Sequence, residues 1–413
     1  MPEPKQQRLA VIAGVRTPFC KAGTEFAGLP SDDLGRAITD TLLTSTGVDP
    51  ATIDEVIFGC VCQPADTANI ARVIALRAGV PAAVPAVTVH RNCASGFEAI
   101  TTAYERMLAG RGSLFLVGGV DSMSQVPLLY RQSAVAKFTS LGKARSPQQK
   151  AAALAAFRPE DFSPRIGLKL GLTDPVCGLN MGETAEILAR ELGISRDAQD
   201  SFAVRSHERA LDASQRLADE IGPVYVTKNG GTAVMADNGP RFGQSREILG
   251  GLKPVFDKYG SVTAGNSSQI TDGAAALLIM SEEKANELGL RPRARFVNFS
   301  LAGADPRMML TAPIPATEKV LARAGMSIND IDLVEINEAF ASVVLAWEKE
   351  LHPDMERVNP NGGAIALGHP LGASGARLMV TLLNELERTG GRYGLQTMCE
   401  GGGMANATII ERL

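Results

Sequence analysis

The sequence has few histidines and aromatic residues, and it lacks the long apolar runs that mark a helical membrane protein. Only four of the 413 residues are histidine and 5% are aromatic, so each histidine is a candidate for acid–base chemistry. No apolar run reaches the roughly 20 residues that a membrane-spanning helix needs. The formal net charge is −4, which gives no indication of a nucleic-acid partner.

Cysteine is also scarce and forms no recognisable framework. The six cysteines are scattered along the chain, without the spacing of a disulfide scaffold. Cys60 and Cys62 form a C-x-C pair, but no second Cys or His pair stands at zinc-ligand spacing, so we expect no metal site. Residues 1–8 lack the apolar core of a signal peptide and are poor in arginine. We therefore expect a cytoplasmic protein.

Chain length and periodicity predict a layered α/β protein. A chain of 413 residues is long enough for two to three structural units. Short apolar runs alternate with helical patterns through the first 120 residues, which is typical of an α/β sheet covered by helices. The 42 glycines cluster in pairs and triplets, which indicates close approach of the backbone to a ligand or another chain.

An internal repeat divides the chain into two halves. Residues 47–56 align without gaps on residues 325–334, and in both a helix precedes the first glycine and a strand follows. The stretch between the halves carries recurrent basic residues, prolines and short helical patterns, and is a natural place for substrate contacts. The predicted division is an N-terminal half (1–120), an inserted loop domain (121–250), the completion of the N-terminal half (251–280) and a C-terminal half (281–413).

Cys93 lies at a predicted strand-to-helix turn. A β-branched run, residues 87–89, precedes it, and a helical pattern follows to about residue 109. The unpaired N–H groups and the dipole at a helix start favour a thiolate over a thiol, and such a turn is a common site for a nucleophile. The alternative is a buried structural cysteine.

The second half supplies three candidate partners for Cys93. His369 lies in a glycine-rich turn before a helix and could act as the base of a Cys–His pair, or it could be structural. Cys399 ends a strand before three glycines and could transfer a proton next to a thioester, or it could be a buried strand residue. Asn337 follows a strand and could position water or bind an oxyanion, or it could cap a helix.

Four blocks of residues resemble the active-site blocks of the thiolases (acyl-CoA acetyltransferases), in that family's order and spacing. They are residues 92–96 (Asn-Cys-Ala-Ser-Gly), 337–340 (Asn-Glu-Ala-Phe), 368–370 (Gly-His-Pro) and 399–402 (Cys-Glu-Gly-Gly). The resemblance covers nearly the whole chain. It implies a duplicated, five-layered α-β-α-β-α fold with an inserted loop domain, which agrees with the repeat.

The resemblance also implies roles for these residues. Cys93 would be the nucleophile that takes the acyl group, and His369 would activate it and help to stabilise the first oxyanion, with a water held by Asn337. Cys399 would carry the proton to and from the acetyl-CoA carbanion. The backbone N–H groups of Cys93 and Gly401 would form a second oxyanion hole.

Contacts with coenzyme A are implied in the same way. An arginine suits the adenosine phosphate electrostatically, although a single surface arginine is more often a solvated charge. The other residues resemble those that flank the pantetheine arm or line the thioester pocket. The implied set is Met181, Arg241, Phe256, Ala264, Ser268, Met309, Ala339 and Phe340.

The chain also departs from the family pattern. Asn180 stands where short-chain biosynthetic thiolases have histidine. Residues 130–175 form a longer segment, more similar to that of the thiolase subunit of fatty-acid β-oxidation complexes. Those subunits often have histidine where this chain has Asn337. The mixed pattern leaves open the acyl chain length, the physiological direction and whether the basic segment touches a membrane.

We therefore expect a 3-ketoacyl-CoA thiolase (acetyl-CoA C-acyltransferase) of lipid metabolism that uses acyl-CoA thioesters and coenzyme A as substrates and needs no metal or redox cofactor. Its reaction can run in reverse as a Claisen condensation. A short-chain acetoacetyl-CoA thiolase, a ketoacyl synthase, a non-catalytic acyl-CoA- or lipid-binding protein and a subunit that depends on a hydratase/dehydrogenase partner remain alternatives; Cys399 disfavours the synthase. The family implies a homodimer or homotetramer.

Overall fold

The computed structural model describes residues 8–226 and 231–413. The strands are, in chain order, β1 (Leu9–Arg16), β2 (Cys20–Lys21), β3 (Glu55–Gly59), β4 (Ala86–Val89), β5 (Leu114–Ser122), β6 (Leu128–Leu129), β7 (Arg165–Ile166), β8 (Val224–Val226), β9 (Thr232–Val234), β10 (Thr271–Ser281), β11 (Ala294–Gly303), β12 (Leu333–Ile336), β13 (Tyr393–Glu400) and β14 (Met404–Arg412).

The α-helices of the described residues are α1 (Ser31–Thr46), α2 (Ile70–Arg77), α3 (Ser95–Leu108), α4 (Gln132–Lys143), α5 (Pro147–Ala155), α6 (Gly167–Gly171), α7 (Met181–Glu191), α8 (Arg196–Asp212), α9 (Ser214–Ala218), α10 (Arg246–Gly250), α11 (Glu282–Glu287), α12 (Pro313–Ala324), α13 (Ala341–Leu351), α14 (Ala364–Leu367) and α15 (Leu371–Thr389).

The large sheet consists of two halves with the same topology. Its order is β12-β13-β14-β11-β1-β10-β5-β3-β4. In the N-terminal half, β1 and β5 lie antiparallel to β10, and β3 lies parallel to β5. In the C-terminal half, β11 and β13 lie antiparallel to β14, and β12 lies parallel to β13. The inferred duplication is therefore confirmed.

The aligned segments 47–56 and 325–334 fold alike. Gly47 and Gly325 end helices α1 and α12 with φ of +64° and +66°, the left-handed region that glycine enters without steric cost. Short 3₁₀ turns follow at Pro50–Thr52 and Ile328–Asp330, and strands β3 and β12 come next. The repeat in the sequence therefore reflects a repeated helix–turn–strand unit.

The fold has five layers because the sheet strands bury side chains on both faces, and each face packs against a different layer of helices. Successive side chains of a strand point to opposite faces. On β10, Ala276 and Leu278 pack in the outer core with α1 and α2. Leu277 and Ile279 pack in the central core with α3 and α15. A third core lies between the C-terminal half of the sheet and helices α12 and α13, so the predicted α-β-α-β-α order is confirmed.

The segment Val126–Thr173 forms a compact unit of its own, and the remaining described residues form the other. Within the segment, β6 pairs with β7, and Phe138 contacts the rings of Tyr130, Phe157 and Phe162. The Asp161 carboxylate accepts a hydrogen bond from Lys137 Nζ at 2.6 Å. The predicted boundaries at residues 121, 251 and 281 stay a prediction.

Candidate active site

Cys93 lies, as predicted, in the turn between β4 and α3. The preceding residue, Asn92, has φ of +45°, which turns the chain sharply into the helix. The Ser95 hydroxyl accepts a hydrogen bond from the Arg91 N–H at 2.9 Å and donates one to the Asn92 carbonyl at 2.7 Å. Asn92 and Ser95 therefore fix the conformation of the turn that presents the half-buried Cys93.

His369 lies in the equivalent turn of the second half, directly before α15, and its side chain is 5% exposed. The Ser374 Oγ lies 2.8 Å from the Pro370 carbonyl oxygen, which can only accept, so Ser374 donates its single hydroxyl proton there. The same Oγ lies 2.6 Å from His369 Nδ1 and must therefore accept a proton from it. This assigns the proton to Nδ1 and leaves Nε2 unprotonated.

Glycines allow the starts of α3 and α15 to touch. A Cβ on Gly96 would lie 2.5 Å from the Gly372 carbonyl oxygen, and one on Gly375 would lie 2.5 Å from the Phe97 nitrogen. A Cβ on Gly119, at the centre of β5, would overlap the same Gly372 carbonyl. The clustered glycines thus serve a close approach of backbones, and this approach joins the Cys93 turn to the His369 turn.

A buried carboxylate fastens the start of α15 to the N-terminal half of the sheet. Asp121, in β5, is fully buried and accepts hydrogen bonds from the Gly372 N–H at 2.6 Å, the Cys62 N–H at 2.8 Å and the Cys60 thiol at 3.3 Å. Burial raises the pKa of Asp121 to about 6, although these donors oppose the shift. Asp121 therefore connects the N-terminal half of the sheet with the start of α15.

Asn337 lies beside the imidazole. It follows β12, it is fully buried, and its Nδ2 lies 3.4 Å from His369 Nε2. Its Oδ1 has no hydrogen-bond partner within residues 8–226 and 231–413, so the amide can hold a further small polar group. The N-cap of α13 is Phe340, which excludes the alternative that Asn337 caps this helix.

Cys399 and Gly401 lie at the end of β13, next to the Cys93 turn. Cys399 is 3% exposed. The Asn92 side-chain amide donates a hydrogen bond to the Gly401 carbonyl at 2.7 Å, which holds this strand end against the Cys93 turn. The Gly401 N–H and the N–H of Cys93 itself act on the Cys93 sulfur. The two thiols also interact, because the charge of Cys93 raises the pKa of Cys399.

Burial dominates the electrostatics of these groups. Burial, followed by the negative charge of Glu400, raises the pKa of Cys93 to about 12, against the opposing effect of the two N–H groups. Burial and the nearby Arg377 lower the pKa of His369 to about 3. Burial also raises the pKa of Cys399. The expectation of a resting thiolate at Cys93 is therefore wrong, since loss of solvation outweighs the helix start.

Five of the eight predicted coenzyme A contacts lie in one hydrophobic cluster with Cys399. Phe256 and Phe340 pack edge to face with ring centroids 6.3 Å apart, and Gly182 leaves room for the Phe256 ring. The cluster forms an apolar wall beside the second thiol. The predicted residues in it are Met181, Phe256, Met309, Ala339 and Phe340.

The other three predicted contacts lie outside that cluster. Ser268 is half-buried, and its N–H donates to the Ala339 carbonyl at 3.0 Å. Ala264 and Arg241 are exposed. The backbone N–H of Arg241 donates to His207 Nδ1 at 3.3 Å. The backbone therefore connects Ser268 to the apolar wall, whereas the roles of Arg241 and Ala264 stay predictions.

Sequence reasoning missed several supporting residues. Asn92, Ser374 and Asp121 all make hydrogen bonds that hold the turns, and Glu338 accepts from Ser206, Asn359 and the Ile365 N–H. A sequence signal existed only for Asp121, a carboxylate at the end of an otherwise apolar strand. Asn180 also has a structural explanation, since it caps α7 by accepting from the Gly182 N–H at 3.0 Å.

The arrangement can carry out acyl transfer. One thiol has a neutral imidazole and a side-chain amide close to its turn, and a second thiol stands nearby against an apolar wall. Within the described ranges, no group of three His, Cys, Asp or Glu side chains could hold a metal ion. No helix of residues 8–226 and 231–413 is both long and apolar enough to cross a membrane.

The chain is similar over nearly its whole length to known proteins. It is 44% identical over 404 residues to "Steroid 3-ketoacyl-CoA thiolase FadA6" of Mycobacterium tuberculosis, covering 98% of this chain and 94% of that one. It is 41% identical over 406 residues to "Acetyl-CoA acetyltransferase" of Shinella zoogloeoides, covering 98% of each.

Solved structures agree. The Bacillus anthracis acetyl-CoA acetyltransferase superposes with a TM-score of 0.90 at 39% identity, covering 99% of each chain. Human mitochondrial 3-ketoacyl-CoA thiolase in complex with CoA superposes with a TM-score of 0.89 at 36% identity, covering 99% of this chain and 98% of that one. Family models match residues 9–283 as "Thiolase, N-terminal domain" and residues 290–412 as "Thiolase, C-terminal domain". The chain belongs to the thiolase family.

Proposed function

We propose that this chain is a 3-ketoacyl-CoA thiolase, an acyltransferase that converts a 3-ketoacyl-CoA and coenzyme A into a shortened acyl-CoA and acetyl-CoA. The observation that supports the proposal is that the two thiols interact and that the helix after Cys93 packs against the helix after the neutral His369, at the join between the two halves. The 44% identity to a steroid 3-ketoacyl-CoA thiolase supports the degradative direction.

In the first step His369 Nε2 takes the proton of Cys93, and the sulfur attacks the 3-keto carbon. The bond between carbons 2 and 3 breaks, the acyl group stays on Cys93, and acetyl-CoA leaves as an enolate. Cys399 donates a proton to carbon 2 of that enolate. A second coenzyme A gives its thiol proton to the Cys399 thiolate and attacks the acyl-Cys93 thioester, and the leaving Cys93 thiolate takes its proton back from His369.

Charge develops on oxygen at two points of this reaction. Neutral His369 can receive a proton and then stabilise the oxyanion of the attacked carbonyl, together with a water held by the free Asn337 Oδ1. The N–H groups of Cys93 and Gly401 are the candidate donors to the thioester oxygen of the acetyl-CoA enolate. No metal or redox cofactor takes part in this scheme.

The test is thiolysis of a series of 3-ketoacyl-CoA substrates of increasing chain length. We expect turnover of substrates longer than acetoacetyl-CoA, abolished by Cys93→Ala. Cys399→Ala should stop carbon–carbon cleavage but still exchange the acyl group of an acyl-CoA with free CoA. Cys177→Ala is the matched control, since Cys177 is half-buried and lies outside this site. Measurable thiolysis by the Cys93→Ala enzyme would contradict the assignment.

A biosynthetic acetoacetyl-CoA thiolase is the second candidate, favoured by the 41% identity to an acetyl-CoA acetyltransferase. Turnover restricted to acetoacetyl-CoA in the same series would select it. A non-catalytic acyl-CoA- or lipid-binding protein would bind the substrates without turning over any of them.

We further propose a cytoplasmic homodimer or homotetramer that serves fatty-acid β-oxidation. All six cysteines are unpaired, which supports a reducing compartment. Strand β4 ends the sheet within the described residues and pairs there with β3 alone, and an edge strand of this kind supports pairing with a second copy. Sedimentation of the isolated chain, with and without a hydratase/dehydrogenase protein, tests both self-association and dependence on such a partner.

A further inference from the structure

Glu400 is a buried carboxyl group that the scheme above does not use. It stands between Cys399 and Gly401 and is 1% exposed. Neither of its carboxylate oxygens has a hydrogen-bond partner in the part of the chain that the structure describes. Burying an unpaired carboxylate is costly, so a group in this position calls for a functional explanation.

The backbone places Glu400 against the nucleophile turn. Cys399 points into the hydrophobic cluster with Phe256 and Phe340, and the alternation along β13 directs Glu400 to the opposite face. The hydrogen bond from Asn92 to the Gly401 carbonyl, 2.7 Å long, ties the residue after Glu400 to the residue before Cys93.

The charges around Glu400 come from the Cys93 turn and from α3. Arg91 attracts the ionised carboxylate and Glu98 repels it, but Arg91 is already engaged by Glu98 through two hydrogen bonds, one of 3.0 Å. The Glu400 charge also raises the pKa of Cys93 and of Cys399, and the Glu105 charge raises the pKa of Arg91. On the other flank, β14 places the uncharged Met404 opposite Glu400.

Because Glu98 compensates the charge of the Arg91 guanidinium, burial has the largest effect on Glu400. Burial raises the pKa of Glu400 to about 8, so the carboxyl group is mostly neutral near pH 7. When it ionises, its charge raises the pKa of Cys93, and this is the largest contribution after burial. A neutral Glu400 does not raise the pKa of Cys93 in this way.

We propose that Glu400 gates the reactivity of Cys93: the protonated carboxyl lets the thiol lose its proton, and the ionised carboxylate suppresses the thiolate. Glu400 is thus a positioning residue that acts through Cys93 and exchanges its own proton with solvent. The inference rests on the proposed function only in taking Cys93 as the nucleophile.

The experiment measures alkylation of Cys93 by iodoacetamide between pH 6 and 9.5, followed by mass spectrometry of the Cys93 peptide. In the unaltered protein the rate should rise less steeply with pH above about 8. Glu400→Gln should match it within about twofold at pH 6.5 and exceed it about fivefold at pH 9, because a charge at close range shifts a pKa by about one unit. Glu283→Gln, the same charge change at an exposed position of α11, should leave the profile unchanged.

A second variant should change the pH dependence of Cys93 alkylation in the opposite direction. Glu98→Gln frees Arg91 to stabilise the Glu400 carboxylate, so the rate should flatten at a lower pH. The proposal would be overturned if the alkylation rate of Glu400→Gln, divided by that of the unaltered protein, did not change with pH. It would also be overturned if the pH profile of Glu98→Gln did not shift, and this second test holds even if Glu400→Gln fails to fold. Alkylation needs no turnover, so loss of thiolysis activity alone would count against the proposed function and not against this gate.

Discussion

Replacing His369 by asparagine tests whether the imidazole is the base that activates Cys93. The pKa of Cys93 is raised to about 12, so at pH 8 only about one molecule in ten thousand carries the thiolate unaided. The imidazole is neutral, and its Nε2 is unprotonated. General-base catalysis contributes about 10²–10⁴-fold, and the scarcity of thiolate places this case near the upper limit. We expect His369→Asn to slow acyl-enzyme formation by about 10³–10⁴-fold.

The assay is single-turnover acylation of Cys93 by an acyl-CoA, measured from pH 7 to 9. The residual rate of His369→Asn should rise with pH, since the thiol must then ionise without help and remains far below its pKa; the rise should become less steep as Glu400 ionises near pH 8. His352→Asn is the matched control, because His352 is exposed and its left-handed φ of +50° suits asparagine. A loss smaller than tenfold, or a residual rate that does not depend on pH, would refute the reasoning.

Three further outcomes are expected. Ser374→Ala removes the acceptor that fixes the His369 tautomer and should lower kcat by about tenfold with KM little changed, measured by steady-state thiolysis. Gly372→Ala places a Cβ 2.7 Å from the Val120 carbonyl oxygen and should cost about 1–3 kcal/mol in denaturant unfolding. Glu400→Gln should stabilise the protein increasingly as pH rises, because the pKa of Glu400 is raised from 4.5 to about 8 in the fold: its contribution is full below pH 4.5 and lost as pH passes 8.

Two of these predictions have a control variant, and the third is checked by its pH dependence. Ser374→Thr keeps a hydroxyl and should retain more activity than Ser374→Ala; equal losses would argue for a packing effect. Gly142→Ala, in α4 with no atom within 4 Å of the added Cβ, should leave the unfolding midpoint unchanged or slightly raised. A stability gain for Glu400→Gln that is the same at pH 5 and pH 9 would contradict the assigned ionisation.

Much of the fold could be predicted because local patterns and global architecture agree. The runs that became β1, β3 and β5 are apolar and β-branched, and both faces of their sheet are covered, so tertiary packing did not override propensity. The gapless match of 47–56 with 325–334 located the duplication, since both segments need a glycine at a left-handed position. The short strands β2 and β6–β9 carry too few residues for a periodic signal.

The site, like the fold, could be predicted from the sequence only in part. Cys93, His369 and Asn337 follow strands or precede helices, and Cys399 lies at the end of β13. The structure places the Asn337 amide 3.4 Å from the His369 imidazole, lets the two thiols interact, and packs the start of α3 against the start of α15. The partners that hold them could not be read from the chain: Asn92 lies 309 residues from Gly401 and Asp121 lies 251 from Gly372, and nothing local specifies such pairings. The raised pKa of Cys93 was missed for a related reason, because burial of a turn depends on the packing of both halves.

The central claim is that the two thiols have different tasks, with Cys93 carrying the acyl group and Cys399 moving the proton. The most direct measurement incubates Cys399→Ala with acetyl-CoA in deuterated water, and follows both acetylation of the Cys93 peptide and deuterium uptake at the acetyl carbon by mass spectrometry. We predict acetylation of Cys93 without deuterium uptake. Deuterium uptake at the unaltered rate, or an acetyl group on any residue other than Cys93, would contradict the account.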